Sequence, residues 1–519
     1  MVRTKLSIAL LLVAIVTSVA AATAQAGPIG AWTKKDALSF VSAPNLHPPK
    51  LTTISSAGTR KLASGYFLIA NFKDIGETAK IDGQGGPLIL DRQLRPVWFQ
   101  PVPTSDYALN LRTQSYAGKP ALSWWQGVLN NEGVVSSGED VVVNQQYKTV
   151  AKLKGADGWV LTPHEFLIRG DNAWVTANQF VRGVNLTQFG GPANGVIIDS
   201  AVQEYSLKTG KLEYSWAAYG GGHIPLSEAA TTVGAKVAGS TANAWDAYHI
   251  NSISLVGSDE FLVSMRNTWG GYLVNISTGQ IIWTLGTRSS NSFKFGSGAT
   301  FEWQHDMEMQ SGNEVSLFDD ACCALGGNQF TSPFGQSRGL ILSLNTAAHT
   351  ATLVHQYTHS PSLETSTQGN TQLLPNGDVV VGWGAEPYLT EYSKTGKVLF
   401  DATMPGPDIS YRAYVESWVG TPSYPPSGAG RETSGHATIY ASWNGATKVA
   451  KWRVLGGSSS HSLKSVATVN KSGFETAIKL AGNYRTYSVD ALDSHGHVLG
   501  RSKTFGAVTG KTSPPQTGY

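Results

Sequence analysis

Apolar and polar residues alternate along the chain in short runs that are separated by turn residues, which predicts β-strands. One unit recurs: a strand, a polar turn that often contains Thr-Gly, and a returning strand that ends in an aromatic residue. Its six copies are Leu88–Phe99, Val141–Leu153, Tyr205–Trp216, Tyr272–Gly286, Leu340–Val354 and Glu391–Phe400. Because a propeller repeats one sheet around an axis, copies spaced by roughly 50 to 70 residues predict a six-bladed β-propeller with four strands per blade.

A second repeat lies beside the first in the later units, where a polar residue opens a strand, a short turn follows and a second strand returns. The opening residues are His164, His249, His305 and Asn370. The innermost strands of a propeller line its central channel, so equivalent positions on them face one axis. A single histidine that opens a strand is more often structural, but three of the 12 histidines at matching positions are expected to converge on a site.

Imidazole is a competent nucleophile near neutral pH and forms covalent intermediates. Arg266 lies on a predicted strand that pairs back toward the His249 strand, so its guanidinium is expected to reach the channel. The planar guanidinium fork suits an anionic group with several oxygens. The alternative role for Arg266 is a structural donor to loop carbonyls.

The remaining chain divides by composition and pattern. Residues 58–422 are the predicted propeller, preceded by an N-terminal segment over residues 27–57. Pro425–Gly435 has the composition of a linker. Alternating strands over residues 427–507 predict an immunoglobulin or fibronectin III-like β-sandwich, and residues 508–519 are predicted to be disordered.

The N-terminus predicts export. Arg3 and Lys5 precede an apolar run, and Ala24-Gln25-Ala26 has the form of a cleavage site. Residues 1–26 therefore predict a signal peptide, and the mature protein is expected to be secreted and extracellular. No later stretch is apolar enough to predict a membrane helix.

Composition adds two points. Charged residues make up 14% of the chain, the net charge is +3, and no Lys/Arg run occurs, so nothing indicates a nucleic-acid partner. The two cysteines are adjacent, Cys322 and Cys323. They predict either two reduced thiols or a vicinal disulfide, and a metal site least of all.

The motifs DAYHINSI, FLVSMRNT, FEWQHDMEM and GNTQLLPNGDVVVGWG resemble the arylsulfotransferase (ASST) family, in particular its secreted actinobacterial and fungal branch, over most of residues 58–422. The resemblance implies a six-bladed propeller that moves a sulfuryl group from a phenolic sulfate ester to a phenolic acceptor. Members use a sulfated histidine and neither the nucleotide sulfate donor nor another cofactor. By motif, His305 is the histidine that becomes sulfated, His249 and Arg266 bind sulfate oxygens and assist the leaving phenol, and His164 is the remaining channel histidine.

The same motifs supply the expected substrate-binding residues Asn251, Trp303 and Asn370. Asp306 should point to the opposite side of its strand from His305, so no chemistry is assigned to it. Trp124, Trp125, Trp303 and Trp383 are candidates to stack on phenols, although each fits a packing role better. Tyr411, Arg412 and Tyr414 either close the last blade or line the pocket, and the structural role is the one favoured.

Two other functions remain open at this point. A quinoprotein dehydrogenase is also a Trp-rich secreted propeller and some members carry a vicinal disulfide, but it requires more blades, a quinone and a Ca²⁺ site. A secreted propeller without enzymatic activity, serving in binding or adhesion, is the second alternative.

Overall fold

The computed structural model describes residues 29–57, 62–75, 77–130, 134, 136–287, 289–323 and 335–509. Strands dominate and form eight sheets, six of them within residues 52–416 and two within residues 427–509. The all-β prediction is confirmed. The predicted signal peptide and residues 510–519 of the predicted tail lie outside the described residues.

Sheets 2 to 6 are each built from four antiparallel strands that follow one another in the chain. Sheet 2 contains Tyr107–Tyr116, Lys119–Val128, Ser137–Asn144 and Thr149–Leu153. Sheet 3 contains Val160–Arg169, Asn172–Val184, Gly195–Ser206 and Leu212–Ala217, with Trp245–Asp246 added in parallel. Sheet 4 contains Ile250–Val256, Glu260–Met265, Gly270–Asn275 and Ile281–Gly286. Sheet 5 contains His305–Met309, Glu314–Asp319, Arg338–Asn345 and Thr350–Tyr357, with Lys294–Phe295 added at its edge. Sheet 6 contains Asn370–Leu373, Val379–Gly382, Tyr388–Tyr392 and Val398–Thr403.

Sheet 1 joins distant parts of the chain. Its strands Tyr66–Lys73, Gly86–Leu90 and Pro96–Phe99 pair in order, and Tyr66–Lys73 also pairs with Asp408–Ser410 and Tyr414–Glu416. These two late strands pair with Tyr66–Lys73 at the position that, in sheets 2 to 6, is occupied by the first of the four consecutive strands. The N-terminal segment contributes strand Thr52–Ser56 to sheet 6.

Apolar side chains join each sheet to the next and the last sheet to the first. Trp98 of sheet 1 packs in one cluster with Trp124 of sheet 2, and Phe318 of sheet 5 packs in another with Trp383 of sheet 6. Further clusters join sheets 2 and 3, 3 and 4, and 4 and 5. A sixth cluster, which contains Phe67 and Phe400, joins sheet 6 to sheet 1. Since each fully buried large apolar side chain contributes about 1.5–3 kcal/mol, these clusters hold the sheets in a closed ring.

Helical structure in the described residues is short. It comprises the α-helix Val233–Lys236 and the 3₁₀ turns Thr187–Phe189, Leu226–Glu228, Thr241–Asn243, Arg266–Thr268 and Ser311–Asn313. No helix in the described part of the chain has the length and apolar composition needed to span a bilayer.

The C-terminal region contains the last two sheets around one apolar cluster. Sheet 7 contains Ser427–Thr433, His436–Ser442, Glu475–Lys479 and Ala507–Thr509; sheet 8 contains Lys451–Gly457, Lys464–Asn470, Thr486–Leu492 and Val498–Arg501.

The segment with linker composition is largely a strand, Ser427–Thr433. A Cβ atom on Gly428 would lie 2.3 Å from the ring of Phe505, so this glycine permits close packing of the strand. The side chain of Asn444 accepts from the backbone N–H of Phe99 at 2.9 Å and donates to its carbonyl at 2.8 Å, which ties this region to sheet 1.

Candidate active site

A cavity of about 300 Å³ lies where sheets 3, 4 and 5 meet the late segment that completes sheet 1. We call it the histidine cavity. His164, His249, Arg266 and His305 all line it, so the four predicted catalytic residues share one site. The other lining residues are Phe72, Asp74, Ile75, Leu109, Leu129, Pro163, Cys323, Ser366, Thr367, Gln368 and Tyr411. One part of the wall is therefore cationic or polar and another is apolar.

His305 opens the first strand of sheet 5 and is 1% exposed. Its Nε2 accepts the backbone N–H of Gln368 at 3.2 Å. Because a backbone N–H only donates, Nε2 carries the lone pair, and Nδ1 carries the hydrogen that it donates to Asp320 Oδ2 at 2.6 Å. Burial, assisted by the charge of Arg266, lowers the pKa of His305 well below its usual value. His305 is thus a neutral imidazole in the cavity wall, oriented by a carboxyl group at Nδ1 and by the backbone N–H of Gln368 at Nε2.

His249 sits immediately before the first strand of sheet 4 with a positive φ of 52°. A residue with a side chain seldom adopts this conformation unless its surroundings hold it. Asp246 holds His249 in this conformation with both carboxylate oxygens: Oδ1 accepts the backbone N–H of His249 at 3.0 Å, and Oδ2 lies 2.6 Å from Nδ1 of its ring. The carboxylate therefore fixes the ring and leaves Nε2 as the atom available to a bound molecule.

His164 lies in the first strand of sheet 3, with its ring centre 5.2 Å from that of His249 and 5.7 Å from that of Tyr411. Its buried Nδ1 has no hydrogen-bond partner among the described residues. Burial, followed by the neighbouring His249 and Arg412, lowers its pKa well below the usual value. His164 is therefore a neutral ring with an unused polar atom.

Arg266 begins the turn after the second strand of sheet 4, and its backbone N–H donates to the carbonyl of His249 at 3.0 Å. Its guanidinium lies over Trp303, 4.7 Å from the ring centre, and Nη2 donates to the carbonyl of Ser366 at 2.8 Å. This stacking places a fixed positive charge beside His305.

The adjacent cysteines Cys322 and Cys323 form a disulfide, which settles the alternatives left open by the sequence. Cys322 is buried against Trp303, and Cys323 lines the histidine cavity. Within the described residues, no three His, Cys, Asp or Glu side chains are arranged to hold a metal ion.

The three predicted substrate-binding residues lie outside the cavity lining. Asn251 donates to the carbonyl of Gln304 at 2.7 Å, and Asn370 donates to the carbonyl of Ala413 at 2.9 Å. Both therefore join the first strand of their own sheet to the next sheet. Trp303 acts on the site indirectly by supporting Arg266.

In sheet 6, the residue equivalent to the histidines lies two positions before Asn370, the residue that the sequence repeat indicated. Asn251 and Asn370 make the same kind of bond to the next sheet, so the equivalent of His249, two residues before Asn251, is Gln368. Gln368 also has positive φ, 73°, and lines the cavity. The matching spacing in HIN and QGN was the sequence signal for it.

Tyr411 is a cavity residue that sequence reasoning assigned to structure. It lies between Asp408–Ser410 and Tyr414–Glu416, where pairing with sheet 1 is interrupted, and its ring centre is 6.4 Å from that of His305. Its buried hydroxyl has no hydrogen-bond partner among the described residues. Burial raises its pKa, so the hydroxyl keeps its proton and remains a donor.

Trp124, Trp125 and Trp383 are buried in the apolar clusters and do not line the cavity. The aromatic residues that do are Phe72 and Tyr411. The packing role that the sequence favoured for the three tryptophans agrees with these positions.

A network of buried charges lies directly behind the histidine cavity. Arg412 pairs with Glu165 at 2.9 Å and with Asp306 at 3.2 Å, and Arg112 pairs with the other oxygen of Glu165 at 3.0 Å. We call Arg112, Glu165, Asp306 and Arg412 the buried ion network. Asp306 therefore points away from the cavity, as the strand alternation predicted.

The sequence model of the arylsulfotransferase (ASST) family matches residues 113–404, which is more than half of the 519 residues. The protein belongs to the arylsulfotransferase family. Membership supports aryl sulfotransferase activity and phenolic substrates in general. The match covers the three histidines, Arg266 and the disulfide of this chain, whereas Tyr411 and Arg412 lie beyond it.

Solved structures resemble this chain only distantly. A protein of unknown function from Bacteroides caccae is 11% identical, and the alignment covers 67% of this chain and 98% of that chain with a TM-score of 0.38. The β-propeller domain of Myceliophteria thermophila Cps50 (Swd1) is 10% identical, with coverage of 75% and 97% and a TM-score of 0.32. A search of curated proteins found no match.

Proposed function

We propose that the protein transfers a sulfuryl group from a phenolic sulfate ester to a phenolic acceptor in two steps through His305. The observation that carries the proposal is the state of His305: a buried neutral imidazole in the cavity wall, whose Nδ1 donates to Asp320 and whose Nε2 carries a lone pair that accepts the backbone N–H of Gln368. Such a nitrogen is a nucleophile that needs no prior deprotonation.

In the first step, the hydrogen bond from the N–H of Gln368 to Nε2 of His305 breaks and the freed lone pair attacks the sulfur of the donor. The N–S bond forms, the S–O bond to the aryl group breaks, and the departing phenoxide takes a proton from His249. Asp320 stabilises the positive charge that develops on the ring of His305, and Asp246 orients His249 in the same way. Arg266, together with the hydroxyl of Tyr411, stabilises negative charge on the sulfuryl oxygens.

In the second step, an acceptor phenol gives its proton to His249 and its oxygen attacks the sulfur. The N–S bond breaks, and its electron pair returns to Nε2 of His305. The proton given to the first phenoxide is thereby replaced, so the cycle consumes neither acid nor base. His164 lies beside His249. Its neutral ring has a nitrogen available for a hydrogen bond with a sulfuryl oxygen or with the phenol.

The shape and polarity of the cavity support an aryl sulfate as substrate. Its volume of about 300 Å³ lies at the small end of ligand pockets, roughly 300–1,000 Å³, and suits a single aromatic ring. Phe72, Leu109 and Leu129 supply apolar contacts, whereas the charge of Arg266 attracts an anion. We also propose that the protein is exported, because a disulfide persists in oxidising compartments.

The test follows the release of p-nitrophenolate from p-nitrophenyl sulfate with and without phenol. Wild type should release it in an acceptor-dependent manner, and His305→Ala should lose at least ~10³-fold of that rate. His355→Ala serves as the control, because His355 lies in the last strand of sheet 5, away from the cavity, and should keep wild-type activity.

Other outcomes would redirect the assignment. Release that survives in His305→Ala would keep the reaction and move the nucleophile to another residue. Absence of release with every phenolic acceptor would contradict the proposal and favour a secreted binding protein.

A further inference from the structure

The disulfide between Cys322 and Cys323 contacts the charged group that the proposed reaction depends on. Nη2 of Arg266 lies 3.5 Å from Sγ of Cys323 and 3.9 Å from Sγ of Cys322. The same two sulfurs lie 3.5 Å and 3.2 Å from the carbonyl oxygen of Ser366, which accepts from Nη2 of Arg266. The disulfide and this carbonyl together form a seat for one edge of the guanidinium.

The flat side of the guanidinium rests on Trp303, and Trp303 in turn packs in one buried cluster with Cys322 and Ala230. The disulfide therefore supports Arg266 twice, directly through its sulfurs and indirectly through the ring under the guanidinium. The guanidinium of Arg266 has a third contact, because its Nη1 donates a hydrogen bond to the side chain of Asn267 at 3.2 Å.

We propose that the Cys322–Cys323 disulfide is the positioning element for Arg266, so that sulfuryl transfer requires the oxidised pair. This inference rests on the proposed function of the cavity. A dithiol reductant would supply two electrons and two protons, the S–S bond would become two S–H groups, and the reductant would close to its own disulfide.

The chemical change at the seat explains the dependence. Disulfide sulfurs have no hydrogen to donate, whereas each thiol is a hydrogen-bond donor. Both new S–H groups would lie within reach of the Ser366 carbonyl and compete with Arg266 for it. The two sulfurs would also move apart to non-bonded distance, which pushes Cys323 against the guanidinium or into the cavity.

Displacement of Arg266 has a signature that general damage to the fold lacks. The pKa of His305 is lowered first by burial and next by the charge of Arg266, with smaller effects of His249, His164 and Arg412. Asp320, the group bonded to Nδ1, faces the same ring. Moving Arg266 away should raise the pKa of His305 and shift the acidic limb of kcat/KM to higher pH. Partial unfolding would lower the amount of active protein without moving that limb.

The experiment compares three forms of the full chain by transfer from p-nitrophenyl sulfate to phenol over a range of pH. These are the oxidised wild type, the wild type reduced with dithiothreitol, and the double variant Cys322→Ser/Cys323→Ser. Because the chain has two cysteines, any effect of reducing a disulfide must act through this pair. Thiol labelling after denaturation verifies the reduction.

The expected result is a kcat that falls about 10- to 100-fold on reduction, an acidic limb that moves to higher pH, and recovery on reoxidation. The double variant should have the same kcat and the same acidic limb as the reduced wild type, and dithiothreitol should change neither.

The inference would be overturned, and the proposed function left intact, if the reduced wild type and the double variant both had the kcat of the oxidised wild type and an acidic limb at the same pH. If the double variant does not fold, the reduced and reoxidised wild type decides. An oxidised wild type that transfers nothing to any phenol would overturn the proposed function, and the inference with it.

Discussion

The histidine cavity and the buried ion network are built from neighbouring residues on the same strands, yet they differ in how their polar atoms are satisfied. Three pairs of consecutive residues divide between them, the first of each pair facing the cavity and the second facing the network: His164 and Glu165, His305 and Asp306, and Tyr411 and Arg412.

On the network side each carboxylate faces an arginine, and Arg412 also donates to the carbonyl of Asn251 and to the hydroxyl of Tyr414. Among the residues that line the cavity, the buried polar atoms without a hydrogen-bond partner in the described part of the chain include His164 Nδ1, Gln368 Oε1 and Tyr411 Oη. Each such atom costs the folded state about 1–3 kcal/mol. The network also contains buried atoms without a hydrogen bond, namely Arg112 Nε, Asp306 Oδ1 and Arg412 Nε, but the last two form an ion pair with each other at 3.2 Å. The two regions therefore differ in charge pairing: the network pairs each carboxylate with an arginine, whereas the unsatisfied atoms of the cavity lining face the space that a polar ligand would occupy.

The largest expected effect on stability comes from the network. Arg412→Met should lower the free energy of unfolding by about 3–5 kcal/mol, because it leaves Asp306 buried without its arginine and Glu165 with Arg112 alone. Denaturant unfolding measures it. Tyr411→Phe, on the cavity side, should change stability far less, because the hydroxyl that it removes has no hydrogen-bond partner among the described residues. Comparable loss in both variants would erase the distinction.

Tyr411→Phe tests the cavity side. Removal of a donor to the sulfuryl oxygens should lower kcat about 10²-fold, and stability should stay equal or rise because an unpartnered buried hydroxyl is removed. Tyr414→Phe is the matched control three residues away, since its hydroxyl accepts from Arg412 at 3.1 Å. It should lose stability and keep kcat. The opposite result would assign Tyr411 to the scaffold.

Asn370→Ala separates substrate binding from joining of sheets. The Asn370 side chain donates to the carbonyl of Ala413 and accepts from its N–H, both at 2.9 Å. The variant should lose about 1–3 kcal/mol of stability through these unpaired groups, with KM for the donor unchanged. A specific rise in KM at unchanged stability would return Asn370 to the substrate-binding residues.

The smallest effect is on the pH profile. Because burial and Arg266 hold the pKa of His305 below 6.5, the nucleophile is protonated only as the pH falls through that lowered value. The ratio kcat/KM, measured from pH 5 to 8, should therefore keep its plateau from neutral pH down past 6.5 and fall only below it. An acidic limb above pH 6.5 would mean that His305 is more exposed or that another group controls the step.

The sequence predicted the convergence of the site because repetition along the chain becomes rotation about an axis. His164, His249, His305 and Arg266 could be found this way. The partners Asp246 and Asp320 could not, because a carboxyl group three residues before one histidine, or 15 after another, has no fixed position until the loops fold.

The other omissions have equally local causes. Tyr411 comes from an interruption between two short strands near the end of the ring, outside every repeat unit. Asn370 opens the predicted strand, so the sequence repeat makes it the equivalent of the histidines. In the structure, the loop before sheet 6 places Gln368, two residues earlier, in the equivalent position. Adjacent cysteines allow either thiols or a disulfide, and only the folded loop decides between them.

The most direct test of the account is the mass of the protein after incubation with p-nitrophenyl sulfate and no acceptor. The account predicts a gain equal to one SO₃ group, located by peptide mapping on His305, which disappears when phenol is added and is absent in His305→Ala. Transfer that proceeds at the wild-type rate without this modification would contradict a covalent intermediate on His305.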